Sequence, residues 1–252
     1  MSAPLAPVAI LGGGLATRLR PLTAGIPKAL VDVNGEPFIA HQLRLLRSNG
    51  IERVVYCAGY RGEMIREYVG TGARFGLTVE FSFDGPALLG TAGAITRALP
   101  LLGASFFVLY GDSYLPCDYR AVQREFVESR KPALMTVFRN EDRWNRSNVE
   151  FAGGRILAYD KTHPTARMHH LDYGLGVFTP RAFGEVPSGA PSDLARVYGE
   201  LLHRGELAAF EVDQRFYEVG SFEGLEEIRR YLAAHPPMSL TAGEGTAGGG
   251  AR

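Results

Sequence analysis

The sequence predicts an α/β protein with a Rossmann-like, mixed and mostly parallel sheet that carries helices on both faces. Short apolar runs, typical of strands, alternate with segments of helical pattern between Val8 and Phe138. Several of these runs have no polar alternation, which indicates strands that are buried on both faces of a parallel sheet. The segments between them suit short helical crossovers, which parallel strands require.

The individual elements follow from local patterns. Val8–Leu11 is a short apolar run that ends in three glycines, and it predicts a strand that leads into a loop. Gly50 ends the first helical pattern, as glycine often does after the last turn of a helix. The predicted elements in this part of the chain are strand Val8–Leu11, helix Pro37–Asn49, strand Arg53–Ala58, helix Gly62–Val69, strand Leu77–Phe83, helix Thr91–Leu99, strand Ser105–Tyr110, helix Tyr119–Ser129 and strand Ala133–Phe138.

After residue 140 the pattern changes. Val149–Phe151 and Arg155–Tyr159 flank two glycines and predict a β-hairpin. A polar loop is then expected to run to His170, with His169 and His170 on the surface. The predicted elements that follow are strand Tyr173–Phe178, helix Asp193–His203, strand Leu207–Val212 and helix Phe222–Leu232. We interpret the change as a substrate-side region built onto the same sheet.

Length and composition predict one domain followed by a tail. Residues 1–234 suit a single domain, with a first half over about 1–115 and a second half over about 116–234. From His235 to Arg252 the sequence is rich in Pro, Gly, Ala, Ser and Thr. Such a segment has too little apolar surface to offset its ordering entropy, so residues 235–252 are predicted to be disordered.

Charge and cysteine content exclude several classes of protein. The chain of 252 residues has 27 Lys and Arg against 27 Asp and Glu, so it lacks the basic excess typical of nucleic-acid binding. Cys57 and Cys117 are too few for a disulfide scaffold. There is no apolar run of about 18 residues and no basic signal-peptide region at the N-terminus. We therefore expect a cytoplasmic protein with neither a membrane nor a nucleic acid as partner.

The glycine segment after the first strand predicts a phosphate-binding loop. Residues 12–23 read G-G-G-L-A-T-R-L-R-P-L-T, and Lys28 follows shortly after. Glycines let backbone N–H groups approach phosphate oxygens, and Arg18 and Lys28 add positive charge. A Walker loop is absent, and a dinucleotide fingerprint fails at Thr17 and at the helix-breaking prolines that follow. For the glycines alone, a purely structural turn remains an alternative.

The whole segment resembles the signature of the sugar-1-phosphate nucleotidylyltransferases, L-A-G-G-x-G-T-R-L-x-P-L-T followed by P-K-A-L. The chain is most similar to short members of that family, such as heptose-1-phosphate guanylyltransferases and muramate-1-phosphate uridylyltransferases. The resemblance implies the nucleotide-diphospho-sugar transferase fold, and it extends to about Leu232. The further segments that carry it are Gly90-Thr91-Ala92-Gly93, Tyr110-Gly111-Asp112, Asp160-Lys161, Asp172-Tyr173-Gly174 and Tyr217-Glu218-Val219-Gly220-Ser221.

The resemblance implies a nucleotidyltransferase of nucleotide-sugar and polysaccharide biosynthesis. Such an enzyme transfers a nucleoside monophosphate from an NTP to a sugar 1-phosphate, releases pyrophosphate and forms no covalent intermediate. Mg²⁺ is the implied cofactor, and the NTP and the sugar 1-phosphate are the implied partners. The implied site residues are Arg18, Lys28 and Asp112 for catalysis; Asp112 and Glu218 for the metal; Leu11, Gly12, Gly13, Gly14, Thr17, Gly90, Thr91 and Gly93 for the nucleotide; and Asp160, Lys161, Asp172 and Gly174 for the sugar phosphate.

Simpler structural roles stay open for several of these residues. Asp112 also suits the cap of a turn, and Thr91 the cap of a helix. Asp160 equally suits a charged β-turn. Trp144, with Arg143 and Arg146 near it in sequence, is a further candidate for a sugar or phosphate site.

The chain departs from the family pattern at several positions. Gly12 stands where the family often has Ala, Ala16 where it typically has Gly, Asp172 where it often has Asn, and Glu218 where it usually has Asp. Ala16 and Glu218 motivate an alternative function, a catalytically weak nucleotide-binding or regulatory homologue. The motifs do not specify the base, because relatives that use GTP, UTP or dTTP share the G-T-A-G segment. We favour GTP with a heptose- or mannose-like 1-phosphate, and a homo-oligomer is an open expectation because the family often self-associates.

Overall fold

A computed structural model describes residues 4–13, 19, 23 and 25–235 of the chain. Thirteen strands and six α-helices lie within these ranges. Short 3-10 turns add to them at Lys28–Leu30, Ala73–Phe75 and Pro180–Phe183. The elements are β1 (Val8–Leu11), β2 (Asp32–Val33), β3 (Glu36–Pro37), α1 (Phe38–Ser48), β4 (Arg53–Ala58), α2 (Gly62–Val69), β5 (Thr78–Phe83), α3 (Gly90–Leu102), β6 (Phe106–Tyr110), β7 (Ser113–Tyr114), α4 (Tyr119–Ser129), β8 (Ala133–Arg139), β9 (Val149–Ala152), β10 (Arg155–Tyr159), β11 (His170–Phe178), α5 (Leu194–His203), β12 (Leu207–Val212), β13 (Tyr217–Glu218) and α6 (Phe222–Ala234).

Nine of the strands form one mixed sheet. Its main path is β10-β9-β11-β6-β1-β4-β5, and β8 pairs with both β11 and β12. The strands β6, β1, β4 and β5 are parallel to one another, whereas β11 runs antiparallel to its neighbours β6 and β8. Strands from beyond residue 140 therefore extend the same sheet, as the change of pattern predicted.

The core lies on both faces of this sheet because successive strand residues point to opposite sides. In β1, Ile10 belongs to a cluster that is packed under α1, α2 and α4. Ala9 belongs to a second cluster on the other face, packed under α3 and α5. A third cluster places α6 over β2 and α1, with Leu225 and Ile228 among its buried residues. The predicted α/β class with helices on both faces is confirmed.

Two predicted features differ from the structure in the region after residue 140. Strand β11 begins at His170 rather than at Tyr173. The prediction of a surface loop is wrong for His170, which is buried with its Nε2 3.0 Å from Oε1 of Glu211. A buried polar residue with a partner on another strand carries no apolar signal, so the pattern failed there. The predicted hairpin is confirmed as β9 and β10, whose antiparallel pairing brackets Gly153-Gly154.

The two-residue strands β2, β3, β7 and β13 were not predicted, because so short a segment shows no periodicity. They matter nonetheless, since β13 pairs antiparallel with β7 and brings Glu218 beside the residues that follow β6. The described part of the chain holds no helix that is long and apolar enough to span a bilayer. The predicted tail lies outside the described residues except for His235, whose ring stacks on Tyr231 with centroids 4.5 Å apart.

Candidate active site

A cavity of about 280 Å³ opens where the parallel strands β1, β4 and β6 end. This edge is where α/β sheets generally bind ligands, because the loops that leave parallel strands diverge there. We call it the nucleotide-side cavity. Its lining residues are Leu11, Gly12, Gly13, Lys28, Ala29, Tyr56, Cys57, Asp84, Leu88, Gly90, Thr91, Ala94, Tyr110, Gly111 and Asp112.

The floor of the nucleotide-side cavity is closely packed backbone. The N–H of Gly12 donates to the carbonyl of Cys57, and the N–H of Gly111 donates to the carbonyl of Leu11, each at 2.9 Å. A Cβ on Gly12 would lie 2.1 Å from the hydroxyl oxygen of Tyr56, and one on Gly111 would lie 2.9 Å from the carbonyl oxygen of Leu11. Both positions therefore need glycine, because neighbouring protein atoms already fill the space that a side chain would take.

Lys28 and Asp112 form an ion pair on this cavity. Asp112 follows β6, and Lys28 opens the 3-10 turn that comes after Pro27. The Lys28 Nζ lies 2.7 Å from Oδ2 of Asp112, and the two side chains are 23% and 32% exposed. Among the described residues, no backbone N–H donates to this carboxylate, so the alternative of a turn cap lacks support. The pair instead presents both charges to the cavity.

The backbone of Glu218 lies beside the backbone around Asp112. It pairs with Ser113 across β13 and β7, and the N–H of Val219 donates to the carbonyl of Asp112 at 2.9 Å. Mg²⁺ is usually held by one or two carboxylates together with substrate phosphates, so the two carboxylates suit that ion. The described residues contain no group of three or more His, Cys, Asp or Glu side chains that is arranged for a metal. Any Mg²⁺ here would therefore depend on phosphate oxygens for its remaining ligands.

The N-terminus of α3 forms another wall of the cavity. Gly90 adopts a φ of +69°, and a Cβ there would lie 2.5 Å from the carbonyl oxygen of Ser192. Thr91 does not cap its own helix: its Oγ1 accepts the N–H of Leu194 at 2.7 Å and thereby supports the start of α5. Gly93 is not among the lining residues, and it packs α3 closely against the carbonyl oxygen of Ala190.

Asp84, which the sequence analysis did not select, is a buried carboxylate on the cavity wall. It follows β5 and is 6% exposed. Its Oδ2 accepts the N–H of Leu89 at 3.2 Å. Burial raises the pKa of Asp84, and the Leu89 N–H and the Arg97 charge offset that rise only in part. An acid at the end of an apolar strand was the available signal, and it resembles that of Asp112.

The predicted sugar-phosphate residues Lys161, Asp172 and Gly174 meet around one carboxylate. The Asp172 side chain, 4% exposed, has its Oδ2 3.2 Å from Lys161 Nζ. The hydroxyl of Tyr159 donates to the same oxygen at 3.1 Å, and the N–H of Gly174 donates to Oδ1 at 3.1 Å. Burial lowers the pKa of Lys161, but the charges of Asp172 and Tyr110 outweigh it, and the net pKa lies above the usual value. We call these residues the acceptor-side cluster.

Two further observations place the acceptor-side cluster relative to the rest of the site. The Lys161 Nζ lies 5.5 Å from the ring centroid of Tyr110, which also lines the nucleotide-side cavity. Gly174 adopts a φ of +93° where the register of β11 against β8 shifts, so glycine is needed there for its backbone. The ring of Tyr110 thus lies between the nucleotide-side cavity and the acceptor-side cluster.

Asp160 behaves as a turn residue. Its Oδ1 accepts the N–H groups of Thr162 and His163 and the hydroxyl of Thr162. These hydrogen bonds, foremost the one from His163, lower the pKa of Asp160 to about 2. The structure therefore supports the β-turn alternative for this residue.

A second cavity of about 260 Å³ borders Glu218 on the other side. Arg215 lies across it, with its guanidinium carbon 4.6 Å from the ring centroid of Trp144 and 5.1 Å from that of Tyr217. Glu227 forms an ion pair with Arg215. Arg143 also lines this cavity, so the structure brings Trp144 and Arg143 to the same place as Glu218. Arg146 is not among the lining residues, and its guanidinium donates to the carbonyl of Pro164 at 3.4 Å.

Comparison with known proteins agrees with this arrangement. A family model described as nucleotidyl transferase matches residues 8–148, which is more than half of the 252 residues. The chain belongs to the nucleotidyl transferase family. The predicted resemblance to sugar-1-phosphate nucleotidylyltransferases is confirmed, and with it the prediction of a nucleotidyltransferase enzyme.

Several relatives of this nucleotidyl transferase cover most of its chain. N-acetylmuramate alpha-1-phosphate uridylyltransferase of Neisseria meningitidis serogroup B is 27% identical over 89% of this chain and 97% of its own. Mannose-1-phosphate guanyltransferase beta-B of Xenopus laevis is 27% identical over 84% of this chain, and the match spans 60% of that relative's length.

Solved structures show the same fold. The inositol-1-phosphate CTP transferase of T. maritima has a TM-score of 0.75 at 21% identity and covers 92% of this chain and 97% of its own. HddC of Yersinia pseudotuberculosis has a TM-score of 0.74 at 22% identity and covers 90% and 100%.

Four positions that the sequence analysis singled out in this nucleotidyl transferase lie outside the described residues. They are Gly14, Ala16, Thr17 and Arg18. The structure brings Leu11, Gly12, Gly13, Lys28, Gly90, Thr91 and Asp112 together on the nucleotide-side cavity. Tyr56 and Asp84 join them from β4 and the end of β5, and the motifs gave no indication of either.

Proposed function

We propose that this nucleotidyl transferase moves a GMP unit from GTP to the 1-phosphate of a heptose- or mannose-like sugar, with Mg²⁺ as its cofactor. The observation that carries the proposal is the presence of two lysine–aspartate pairs at the end of β6. Asp112, which follows the strand, pairs with Lys28. Lys161 pairs with Asp172 and lies 5.5 Å from the ring of Tyr110, the last residue of the strand.

This arrangement suits a reaction between two anions. A sugar phosphate and a triphosphate repel each other until positive groups lie beside both of them. Lys28 would serve the phosphates of the nucleotide, and Lys161 the phosphate of the acceptor. An aspartate holds each ammonium group, which fixes its position before the substrates bind.

The bond changes require no side-chain nucleophile. An oxygen of the acceptor phosphate forms a new bond to the α-phosphorus while the bond from that phosphorus to pyrophosphate breaks. The acceptor oxygen carries no proton at neutral pH, so no general base is needed. Burial raises the pKa of the Cys57 thiol to about 12, so the thiol that lines the cavity stays protonated and unreactive.

Asp112 and Glu218 are the residues that would hold Mg²⁺. A bound Mg²⁺ supplies charge neutralisation for the phosphates and the departing pyrophosphate. The direct partner of Asp112 in this structure is Lys28, so the carboxylate is held in position at the cavity wall. The backbone pairing of β13 with β7 holds Glu218 in register beside it.

Asp84 supports guanine as the base. Guanine presents N1–H and the 2-amino group as two adjacent donors, and a carboxylate accepts such a pair in the way it accepts an arginine fork. Uracil and thymine present one N–H between two carbonyl oxygens, which a carboxylate repels. Three of the described residues that line the nucleotide-side cavity are charged: Lys28 and Asp112 neutralise each other, and Asp84 remains.

The second cavity supports a sugar with many hydroxyl groups as the acceptor. Arg143, Arg215 and Glu227 give it donors and acceptors in planar groups. It borders Glu218, so an acceptor there adjoins the predicted metal position. The relatives named for mannose 1-phosphate and N-acetylmuramate 1-phosphate act on phosphorylated sugars of this kind.

A matrix of substrates tests the proposal. Purified protein is incubated with Mg²⁺, with each of GTP, UTP, dTTP, CTP and ATP, and with a panel of hexose and heptose 1-phosphates, and released pyrophosphate is measured. GTP with a mannose- or heptose-like phosphate is expected to give the highest rate. Reactions without acceptor are the control for simple hydrolysis of the NTP. A different base with full activity would remove the guanine assignment, and no turnover with any pair would contradict the enzyme itself.

One observation favours a second candidate, a nucleotide-binding homologue with weak catalysis. Glu218 lines the second cavity, whereas Asp112 lines the nucleotide-side cavity. If the longer Glu218 side chain does not reach the metal, nucleotide binding is retained while turnover is lost. Calorimetric binding of NTP without pyrophosphate release would identify this case.

A further inference from the structure

Tyr56 carries a buried hydroxyl group that has no hydrogen-bond partner among the described residues. The residue lies in β4, is 1% exposed and lines the nucleotide-side cavity. A buried hydroxyl without a partner destabilises a folded protein, because the hydrogen bonds that it makes to water in the unfolded chain are not replaced. Native structures seldom retain such a group unless a ligand or a water completes it.

The position of this hydroxyl is tied to Gly12. A Cβ on Gly12 would lie 2.1 Å from the Tyr56 hydroxyl oxygen and 2.2 Å from the ring carbon Cε1. The ring of Tyr56 also packs against Phe81 with centroids 5.8 Å apart, so it has little freedom to withdraw. The space that an alanine methyl would take at position 12 is therefore filled by a tyrosine hydroxyl.

The electrostatic surroundings keep this hydroxyl protonated. Burial, and after it the charge of Asp112, raises the pKa of Tyr56 well above its usual value. The group is therefore a hydrogen-bond donor at every physiological pH.

We propose that the hydroxyl of Tyr56 donates a hydrogen bond to the polyphosphate chain of the bound nucleotide, beside the backbone of Gly12. The inference rests on the proposed binding of an NTP in this cavity. Phosphate oxygens are charged acceptors, and hydrogen bonds to charged acceptors are stronger than those between neutral groups. Tyr56 is thus an additional phosphate ligand that the glycine loop alone does not supply.

The test compares Tyr56→Phe with Tyr119→Phe. Tyr119 is a matched control because its hydroxyl is also buried and has no hydrogen-bond partner in the described part of the chain, yet it does not line the cavity. Thermal unfolding is measured without ligand, and binding of GTP, GDP and guanosine is measured by calorimetry with Mg²⁺ and no acceptor. Neither substitution should lower the melting temperature, since each removes a polar group that lacks a partner.

The expected result is a loss of affinity on the order of tenfold for GTP and GDP in Tyr56→Phe, with guanosine affinity unchanged. Tyr119→Phe should bind all three ligands as the native protein does. Equal GTP affinity in Tyr56→Phe and the native protein would overturn the proposal, and so would equal losses in both variants. A lower melting temperature of Tyr56→Phe without a change in binding would show that its role is structural.

The outcome for this residue can be separated from the outcome for the proposed function. If the native protein binds GTP but releases no pyrophosphate, only the catalytic proposal fails and the comparison of affinities stands. If the native protein binds no nucleotide, both fail. Should Tyr56→Phe not fold, Tyr56→Leu provides a second variant without the hydroxyl, and misfolding of both would overturn the phosphate role.

Discussion

The nucleotide-side cavity and the acceptor-side cluster are both proposed to bind a phosphorylated molecule, but they are built from different chemical groups. The cavity is built largely from backbone and small residues at the ends of three parallel strands, with glycines at 12, 13, 90 and 111. The cluster is built from side chains of β10, β11 and the turn between them, joined at the carboxylate of Asp172. Backbone recognition is independent of side-chain identity, whereas side-chain recognition depends on each partner.

This difference predicts where the enzyme is sensitive. In the cavity, added bulk on a glycine should be harmful, and so should the loss of one of the few polar side chains that line it. In the cluster, the loss of one charged group should leave its partners unsatisfied. The five variants below test this contrast, in order of decreasing effect.

Asp112→Ala is expected to have the largest effect because it removes both the partner of Lys28 and a predicted metal ligand. We expect turnover to fall by about 10²–10³-fold or more, with little change in the melting temperature. Pyrophosphate release measures the effect, and Asp213→Ala, an exposed aspartate outside both cavities, is the control. Near-normal turnover of Asp112→Ala would place catalysis elsewhere.

Asp172→Ala should be the most destabilising change in the acceptor-side cluster. It leaves the Tyr159 hydroxyl and the Gly174 N–H without acceptors, at a cost of about 1–3 kcal/mol in the free energy of unfolding. Chemical denaturation measures that loss. Asp172→Asn is the matched variant, because its amide oxygen still accepts while the charge beside Lys161 is gone. If both variants are as stable as the native protein, the hydrogen bonds to this carboxylate are not important for the fold.

Gly12→Ala tests the close packing of the nucleotide-side cavity. The added methyl meets the ring of Tyr56, and we expect a loss of about 1–3 kcal/mol in stability together with weaker NTP binding. Tyr56→Val creates the missing space, so Gly12→Ala should cost much less stability in a Tyr56→Val background than in the native protein. Additive effects of the two substitutions would show that these residues do not interact.

Asp84→Asn is expected to change base preference rather than stability. The amide has one acceptor and one donor, so the ratio of kcat/KM for GTP over UTP should fall by about tenfold. GTP affinity of the native protein should also fall as the pH is lowered, because only the ionised carboxylate accepts both guanine donors. Since the pKa of Asp84 is raised, this fall should begin at a higher pH than for an aspartate with the ordinary pKa of 3.8. The variant should lose this pH dependence. An unchanged preference would mean that the base does not contact this residue.

Asp160→Ala should have the smallest effect. Its carboxylate is occupied by the turn that it caps, so the KM for the sugar phosphate should stay the same while the melting temperature falls slightly. Lys161→Ala is the comparison, since it should raise that KM. An increase of about tenfold in KM for Asp160→Ala would restore the sugar-binding role that the family resemblance implies.

The parts of the site that were predictable from sequence follow the same contrast. The glycines after β1 and at the start of α3, and the acid after β6, are visible because strand ends and glycine runs are local patterns. Asp84 and Tyr56 were missed, since one follows an ordinary apolar strand and the other lies within one. Their role depends on which neighbouring strand they meet, and here the register of Ile10 opposite Tyr56 decides it.

The acceptor side was predicted in its residues and only partly in their roles. Lys161 and Asp172 were named separately, and their pairing required a strand and a turn from different parts of the chain to meet. Asp160 differs from its expected role because its local hydrogen bonds to Thr162 and His163 satisfy the carboxylate. The two-residue pairing of β7 with β13, which brings Glu218 to Asp112, has no periodic signal in the sequence at all.

In the absence of substrates, Lys28 and Asp112 neutralise each other's charge. An anion that binds Lys28 frees the carboxylate of Asp112 to bind a cation. A cation that binds Asp112 likewise frees Lys28 to bind an anion. Because coupling between two binding events is reciprocal, each ligand then raises the affinity for the other by the same factor. A complex of the anion with the cation should therefore bind with higher affinity than either ion alone.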